Sequence, residues 1–155
     1  FRERLEEEIL RSLRYNVPLS CMLFDIDDFK KCNDTYGHLF GDAVLKEIAT
    51  RMLQTVRRTD IVARYGGEEF IIIMPQTSLD GAYIQAERIR KVIEEKPFDY
   101  VGKSVKITIS GGVAEVVQKE TLTVEDLLRI ADQCLYQAKR NGKNRVITPN
   151  QLNLS

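Results

Sequence analysis

The sequence predicts a single α/β domain in which a mixed central β-sheet carries a β-hairpin and has helices on both faces. Apolar, β-branched runs of strand length alternate with longer segments whose apolar residues recur at helical spacing. Two of these runs are separated by a short segment with the pair Gly66-Gly67, which predicts an antiparallel ribbon and hence a mixed sheet. The chain has 155 residues, 43% apolar and 30% charged, as one globular domain requires.

The first half of the chain is predicted to contain two helices around one strand. Residues 1–14 form an amphipathic helix, because their apolar side chains recur every four residues. After the break at Val17-Pro18, the apolar run Leu19 to Phe24 has the length of a buried strand. Residues 41–58 place seven apolar side chains at spacings of three, four, seven and eight, which predicts a second, longer helix.

The middle of the chain is predicted to form the ribbon and one helix. Ile61 to Tyr65 and Glu69 to Met74 are its strands, and the glycine pair between them permits the positive φ values of a tight turn. Residues 81–95 return to helical spacing. The ribbon therefore comes before a helix that can cover the sheet.

The last third is predicted to contain a broken strand, a helix and a short strand. The strand is expected from residue 105 to residue 117, with a bend or bulge at Ser110-Gly111-Gly112. A weak capping box at Thr123 begins the helix, and Asn141-Gly142 ends it. Residues 145–148 form the last strand, and no repeat or linker divides the chain.

Charge and cysteine content exclude several classes of function. Lys plus Arg and Asp plus Glu both total 23, so a formal net charge of zero gives no general attraction to a polyanion, and we expect no nucleic-acid partner. No apolar run approaches the roughly 18 residues of a membrane span, so we expect no membrane attachment in this fragment. The three cysteines, Cys21, Cys32 and Cys134, lack C-x-x-C spacing, which favours the reducing cytoplasm.

Two groups of carboxylates follow predicted strands. Asp25, Asp27 and Asp28 lie at the carboxyl end of the first strand, where ligands of α/β sheets commonly bind. A solvated loop that caps the next helix is the alternative. Glu68 and Glu69 follow the glycine pair, so strand alternation predicts that only one of them faces a given site. The alternative here is a solubilising flank of a hairpin turn.

The two groups meet if the first strand and the ribbon are neighbours in the sheet. Asp25 and Glu68 would then lie at one edge. Carboxylates placed in this way can bridge Mg²⁺ or Mn²⁺, which prefer oxygen ligands. The acidic groups therefore predict a divalent-metal site at this edge.

Several spaced motifs occur in order along the chain. They are Asp25-Ile26-Asp27-Asp28-Phe29-Lys30, Asn33-Asp34-Thr35-Tyr36-Gly37-His38 with Gly41-Asp42, Arg64-Tyr65-Gly66-Gly67-Glu68-Glu69-Phe70, Ala131-Asp132 with Leu135-Tyr136-Gln137-Ala138-Lys139, and Gly142-Lys143-Asn144-Arg145. With them, the chain closely resembles the GGDEF family of diguanylate cyclases from about Leu19 to Val146. The resemblance implies a nucleotidyl-cyclase, polymerase-palm-like fold. It also implies that residues 1–155 are one catalytic domain excised from a longer chain.

The resemblance implies a metal site and a catalytic set. The carboxylates of Asp25 and Glu68 and the carbonyl of Ile26 would hold two Mg²⁺ or Mn²⁺ ions on each GTP. Glu68, Glu69 and Lys30 would be the catalytic residues. Glu68 stands where aspartate is commoner in the family, and it remains a competent metal ligand because it is only one methylene longer.

The resemblance also implies a nucleotide site. Asn33 and Asp42 match the pair that reads guanine, and an amide with a carboxylate suits the O6 acceptor and the N1 and N2 donors of that base. Helix capping is the alternative for both residues. Other expected contacts are phosphate-binding lysines, backbone N–H groups of the loop, and one histidine near the nucleotide. These are Lys30, Lys139, Lys143, Asp28, Phe29 and His38.

A second site is implied by Arg57 and Asp60, which form an Arg-x-x-Asp pair, together with Arg88 on the next helix. In the family this is an inhibitory site for cyclic di-GMP. The expected activity is condensation of two GTP into cyclic di-GMP and two pyrophosphates, by a homodimer, with product inhibition. A catalytically silent cyclic di-GMP receptor is the alternative. A cyclase that also accepts ATP is disfavoured by Asp42.

Overall fold

The computed structural model describes residues 1–116 and 123–152. Within these residues the helices are α1 (Arg2–Tyr15), α2 (Phe29–Tyr36), α3 (His38–Thr55), α4 (Leu79–Glu95) and α5 (Val124–Arg140). The strands are β1 (Leu19–Ile26), β2 (Ile61–Arg64), β3 (Glu69–Pro75), β4 (Phe98–Tyr100), β5 (Lys103–Val105), β6 (Ile109–Glu115) and β7 (Val146–Ile147), and a 3₁₀ turn covers Pro149–Gln151. None of the helices in the described ranges is long and apolar enough to span a membrane.

Five strands form the central sheet in the order β2-β3-β1-β6-β7. β1 pairs antiparallel with both β3 and β6, and β2 pairs antiparallel with β3. Only β6 and β7 are parallel. The predicted mixed sheet is confirmed, and β1 is the central strand next to the ribbon.

Helices cover both faces of the sheet, as predicted. Alternate residues of β1 enter two different cores, because successive side chains of a strand point to opposite faces. Met22 and Phe24 pack with α3 and α4, whereas Cys21 and Leu23 pack with α1 and α5. Asp25 continues the second series, so it emerges on the face that α5 covers.

The predicted break in the strand at Ser110-Gly111-Gly112 is wrong. β6 runs through these residues from Ile109 to Glu115. The glycines are needed for packing: a Cβ on Gly111 would lie 2.6 Å from the Phe24 ring, and one on Gly112 would lie 2.2 Å from the Ala131 carbonyl oxygen of α5. Residue 105 belongs to β5 instead, and Val117 lies outside the described residues.

Helix α2 and the small hairpin β4–β5 were not predicted, and both ends of α3 were misplaced. The helix α2 has only eight residues and none is fully buried, although Phe29, Cys32 and Tyr36 pack against the core. The small hairpin β4–β5 turns at Val101-Gly102, both with positive φ, and a valine gives no turn signal. Helix α3 begins at His38 and not at residue 41, and it ends at Thr55 and not at residue 58.

Candidate active site

The ends of β1 and β3 bring the acidic groups together. Asp25 is the cross-strand partner of Glu69, and the Ile26 N–H donates to the Glu68 carbonyl at 3.3 Å. Glu68 lies in the loop before β3, so strand alternation does not separate it from Glu69. The expectation that only one of the two glutamates faces the site is therefore wrong, because both line one cavity.

The loop that carries the signature differs from the predicted two-residue turn. It covers residues 65–68, and neither Gly66 nor Gly67 has a positive φ. Arg64 shapes it, because its guanidinium donates to the Gly67 carbonyl and, at 3.4 Å, to the Gly66 carbonyl. Sequence analysis did not assign this role to Arg64. Its place two residues before the signature was the available signal.

Asp25 is a buried carboxylate with one unused oxygen. Its side chain is only 6% exposed, and the Lys139 ammonium of α5 donates to Oδ2. Oδ1 has no hydrogen-bond partner in the described part of the chain. Burial raises the pKa of Asp25 above its ordinary value, although Lys139 acts in the opposite direction. An additional cation at Oδ1 would satisfy this oxygen.

The carboxyl groups of Glu68 and Glu69 also have raised pKa values. Burial raises the pKa of both carboxyls, and the neighbouring Asp25 carboxylate raises them further. Three acids with raised pKa values at one edge favour a bound cation. Across the described residues, no three carboxylate, thiol or imidazole groups enclose a metal by themselves. Mg²⁺ commonly uses one or two carboxylates together with substrate phosphates.

A cavity of about 340 Å³ opens beside these acids. It is lined by Phe29, Lys30, Asn33, Gly67, Glu68 and Glu69. Asn33 lies inside α2, so it does not cap a helix, and its buried Oδ1 has no partner among the described residues. Gly41 of α3 fits against this amide, since a Cβ there would lie 1.7 Å from Oδ1. Asn33 therefore presents an unused polar atom next to the cavity.

Asp42 and His38 lie at the start of α3 in different surroundings. Asp42 directly follows Gly41, the residue that packs against the Asn33 amide. The side chain of Asp42 is exposed. The helix begins four residues earlier without a side-chain cap, so Asp42 does not cap it. His38 lines a separate cavity of about 460 Å³ with Tyr100 and Lys103. The structure does not bring His38 into the cavity that holds Asn33.

The loop between β1 and α2 meets the loop after α5. Asp28 has a left-handed conformation at the N-terminus of α2, and its carboxylate accepts a hydrogen bond from the Lys143 ammonium at 2.5 Å. This contact raises the pKa of Lys143. Lys139 contacts Asp25, so two of the three predicted phosphate-binding lysines already lie at the carboxyl end of β1.

Asp27 and Asn144 have structural contacts that sequence analysis missed. The buried Asp27 carboxylate accepts hydrogen bonds from the hydroxyls of Thr108 at 2.8 Å and Ser110 at 2.6 Å. It also accepts from the backbone N–H of Asn144 at 3.0 Å. The position of Asn144 within the last motif indicated that the residue has a role, but the role could not be read from the sequence because Asp27 is distant along the chain.

The Arg-x-x-Asp residues lie near the C-terminal end of α3, away from Asp42. The Arg57 guanidinium donates to the buried Asp60 carboxylate at 3.0 Å and to the Pro75 carbonyl at 3.2 Å. Arg88 is exposed on α4. Gln85, one turn before Arg88, donates to the Thr55 carbonyl at 3.0 Å, so this part of α4 lies against the end of α3.

Comparison with known proteins decides which family has this arrangement. The family model for "Diguanylate cyclase, GGDEF domain" matches residues 1–145. The chain belongs to the GGDEF family. In this GGDEF domain the signature is Gly66-Gly67-Glu68-Glu69-Phe70.

Two curated relatives illustrate how much of a longer protein the GGDEF domain represents. This chain is 47% identical over 128 residues to Diguanylate cyclase A of Treponema denticola, and the match covers 83% of this chain and 34% of the relative. It is 44% identical over 146 residues to Response regulator PleD of Caulobacter vibrioides, covering 93% of this chain and 32% of the relative. The chain therefore spans about a third of the length of these relatives.

Solved GGDEF domains have the same fold. The active GGEEF domain of a diguanylate cyclase from Vibrio cholerae is 36% identical with a TM-score of 0.90, and the match covers 97% of this chain and 94% of that one. The GGDEF domain of DgcB from Caulobacter crescentus, in complex with c-di-GMP, is 30% identical with a TM-score of 0.90. That match covers 96% of this chain and 88% of that one.

Proposed function

We propose that this GGDEF domain condenses two molecules of GTP into cyclic di-GMP and releases two pyrophosphates. The observation that carries the proposal is the placement of Asp25, Glu68 and Glu69 at one sheet edge, beside a cavity that Lys30 and Asn33 also line. The similarity to proteins named as diguanylate cyclases supports the same reaction.

The residues at this edge fit a divalent cation. A buried oxygen of Asp25 has no partner in the part of the chain that the structure describes, and the pKa values of Asp25 and Glu68 are raised. These two carboxylates, with the Ile26 carbonyl, would hold Mg²⁺ or Mn²⁺. When bound, the metal neutralises charge on the triphosphate and activates the attacking hydroxyl. Glu69, the cross-strand neighbour of Asp25, adds negative charge that strengthens cation binding at the same edge.

In the proposed reaction, the 3′-oxygen of one GTP attacks the α-phosphorus of the other. A P–O bond forms to that oxygen, the bond from the α-phosphorus to the bridging oxygen breaks, and pyrophosphate leaves. The hydroxyl proton passes to solvent or to a carboxylate of the site. Lys30, Lys139 and Lys143 bind the triphosphate as point charges, and the backbone N–H groups of Asp28 and Phe29 provide further donors.

Each domain offers one such cavity, so cyclisation requires a second copy of the domain that faces the first with its own GTP. The rate per molecule should therefore rise with protein concentration until the dimer is fully formed. Initial rates of pyrophosphate release from GTP and Mg²⁺ at increasing protein concentration test this step, with two pyrophosphates expected for each dinucleotide. A rate per molecule that stays constant down to concentrations at which the chain is monomeric, or formation of cyclic mononucleotide, would contradict the proposal.

Asp42→Ala should weaken binding of GTP without weakening binding of ATP. Asn33 and Asp42 are proposed to bind the guanine edge, and loss of one partner leaves base donors unpaired, at a cost of about 1 to 3 kcal/mol. Calorimetric titration of both nucleotides in Mg²⁺ measures the effect, with Asp34→Ala on α2 as the control. Equal losses for GTP and ATP would assign Asp42 a role in the helix alone.

Arg57→Ala should abolish inhibition by cyclic di-GMP while leaving GTP turnover intact. Asp42 and the end of α3 are about 20 Å apart, too far for one nucleotide to reach both, so product would bind a separate site. The arginines suit its phosphates and guanines. Initial rates against added product measure inhibition, and copurified dinucleotide should be lost as well.

Arg57 also pairs with the buried Asp60, so a second variant is needed. Arg88→Ala removes an exposed arginine without affecting that pair, and Arg58→Ala removes a neighbouring charge as the control. Inhibition curves of Arg57→Ala and Arg88→Ala that coincide with those of the wild type would contradict the product site. Binding of product without any turnover of GTP would support the receptor alternative instead.

A further inference from the structure

The loop between α5 and β7 carries two consecutive residues in a left-handed conformation. Lys143 has φ 67° and Asn144 has φ 47°. Such backbone is uncommon outside glycine and persists only where surrounding contacts fix it. The Lys143 N–H donates to the Ala138 carbonyl at 3.0 Å, which ties the start of this pair to the end of α5.

Asn144 is held from two sides. Its backbone N–H donates to the Asp27 carboxylate at 3.0 Å and to the Ser110 hydroxyl at 3.1 Å. Its side-chain Oδ1 accepts from the Arg90 guanidinium at 2.9 Å, and its Nδ2 donates to the Glu94 carboxylate. Both polar atoms of the amide are therefore bound by residues of α4, while the backbone is bound by the end of β1 and by β6.

Arg90 is itself well fixed. Its side chain is only 12% exposed, and it forms ion pairs with Glu87 at 2.9 Å and with Glu94 at 3.5 Å. The Asn144 hydrogen bond also lowers the pKa of the Glu94 carboxyl. The amide of Asn144 thus contacts a preorganised charged surface of α4 and not a mobile side chain.

We propose that Asn144 is a positioning residue for the phosphate end of the active site. By fixing the left-handed backbone against Asp27 and α4, it directs the Lys143 side chain toward the loop after β1, where the ammonium meets Asp28. A lysine directed in this way can transfer its contact to a triphosphate that binds the same loop. The inference rests on the proposed function, because it assigns Lys143 to the triphosphate of GTP.

Asn144→Gly tests this role, because glycine accepts the positive φ and keeps the N–H that Asp27 binds. Only the amide is lost, and Arg90 and Glu94 can still pair with each other. We expect the affinity for inorganic tripolyphosphate with Mg²⁺, measured by calorimetry, and the KM for GTP to worsen about tenfold. Arg90→Met, which leaves the loop sequence intact, should act in the same direction. Gln137→Ala removes a 2.7 Å hydrogen bond to Asn141 of the same loop and should change neither value.

A double-mutant cycle with Lys143→Met separates positioning from general loosening of the loop. If Asn144 acts through Lys143, Lys143→Met should have little further effect once Asn144 is glycine. Fully multiplicative effects, or wild-type tripolyphosphate affinity in both Asn144→Gly and Arg90→Met, would overturn the inference. A wild-type chain that makes no dinucleotide would contradict the proposed function alone, because the tripolyphosphate affinities still decide the role of Asn144.

Discussion

Asp25→Asn is expected to lower the rate of cyclic di-GMP formation by at least about 100-fold. The substitution keeps the shape of the side chain but removes the charge from a buried carboxylate whose Oδ1 has no partner among the described residues. Initial rates with GTP and Mg²⁺ measure the loss. Asp99→Asn, on an exposed position of β4, is the matched control and should keep the wild-type rate.

The same substitution should not destabilise the fold at neutral pH. Burial raises the pKa of Asp25 in the folded protein, so the folded state binds its proton more tightly than the unfolded state does. Ionised Asp25 therefore lowers the free energy of unfolding as pH rises through this raised pKa, and the effect is absent at pH values below the unfolded pKa. Thermal unfolding at several pH values tests the sign. Near-wild-type turnover, or a variant that is unfolded at pH 7, would contradict the assignment.

Gly112→Ala is expected to lower the free energy of unfolding by about 3 kcal/mol, at the upper end of the cost of overpacking. The added Cβ would lie 2.2 Å from the Ala131 carbonyl oxygen and 2.4 Å from the Leu135 nitrogen, and backbone atoms of a helix cannot move aside singly. Helix α5 would have to shift away from β6. The contact of Lys139 with Asp25 would then be lost too.

Thermal denaturation measures this effect, with an expected fall in Tm of roughly 6 to 12 °C. Gly67→Ala is the control for stability, because a Cβ there meets nothing within 4 Å. A Tm of Gly112→Ala within about 2 °C of wild type would show that α5 and β6 are less tightly packed than the structure indicates.

Much of the fold was predictable because the long elements have strong patterns. The strand Leu19–Ile26 and the ribbon strands have continuous apolar runs, and α5 has both a capping box and an apolar stripe. The adjacency of β1 and the ribbon could only be assumed from the sequence. The pairing of β1 with β3 places Asp25 opposite Glu69, so two motifs that are distant in sequence lie at one site.

The remaining features depend on contacts between distant residues, which local patterns do not encode. Helix α2 was missed because its residues bury little surface, although it carries Asn33. Gly111 and Gly112 look like a bend in sequence, but their role is set by Phe24 and α5. Glu68 and Glu69 line the same cavity because Glu68 lies in the four-residue loop that Arg64 shapes, where the alternation of side chains along a strand does not apply.

Chromatographic separation of the nucleotides formed from GTP and Mg²⁺ tests the central claim most directly. The purified chain should convert GTP to cyclic di-GMP, and Glu68→Gln, which removes one carboxylate of the proposed metal site, should form at least about 100-fold less in the same time. Unchanged GTP with the wild-type chain at high protein concentration, or equal product from both proteins, would contradict the account.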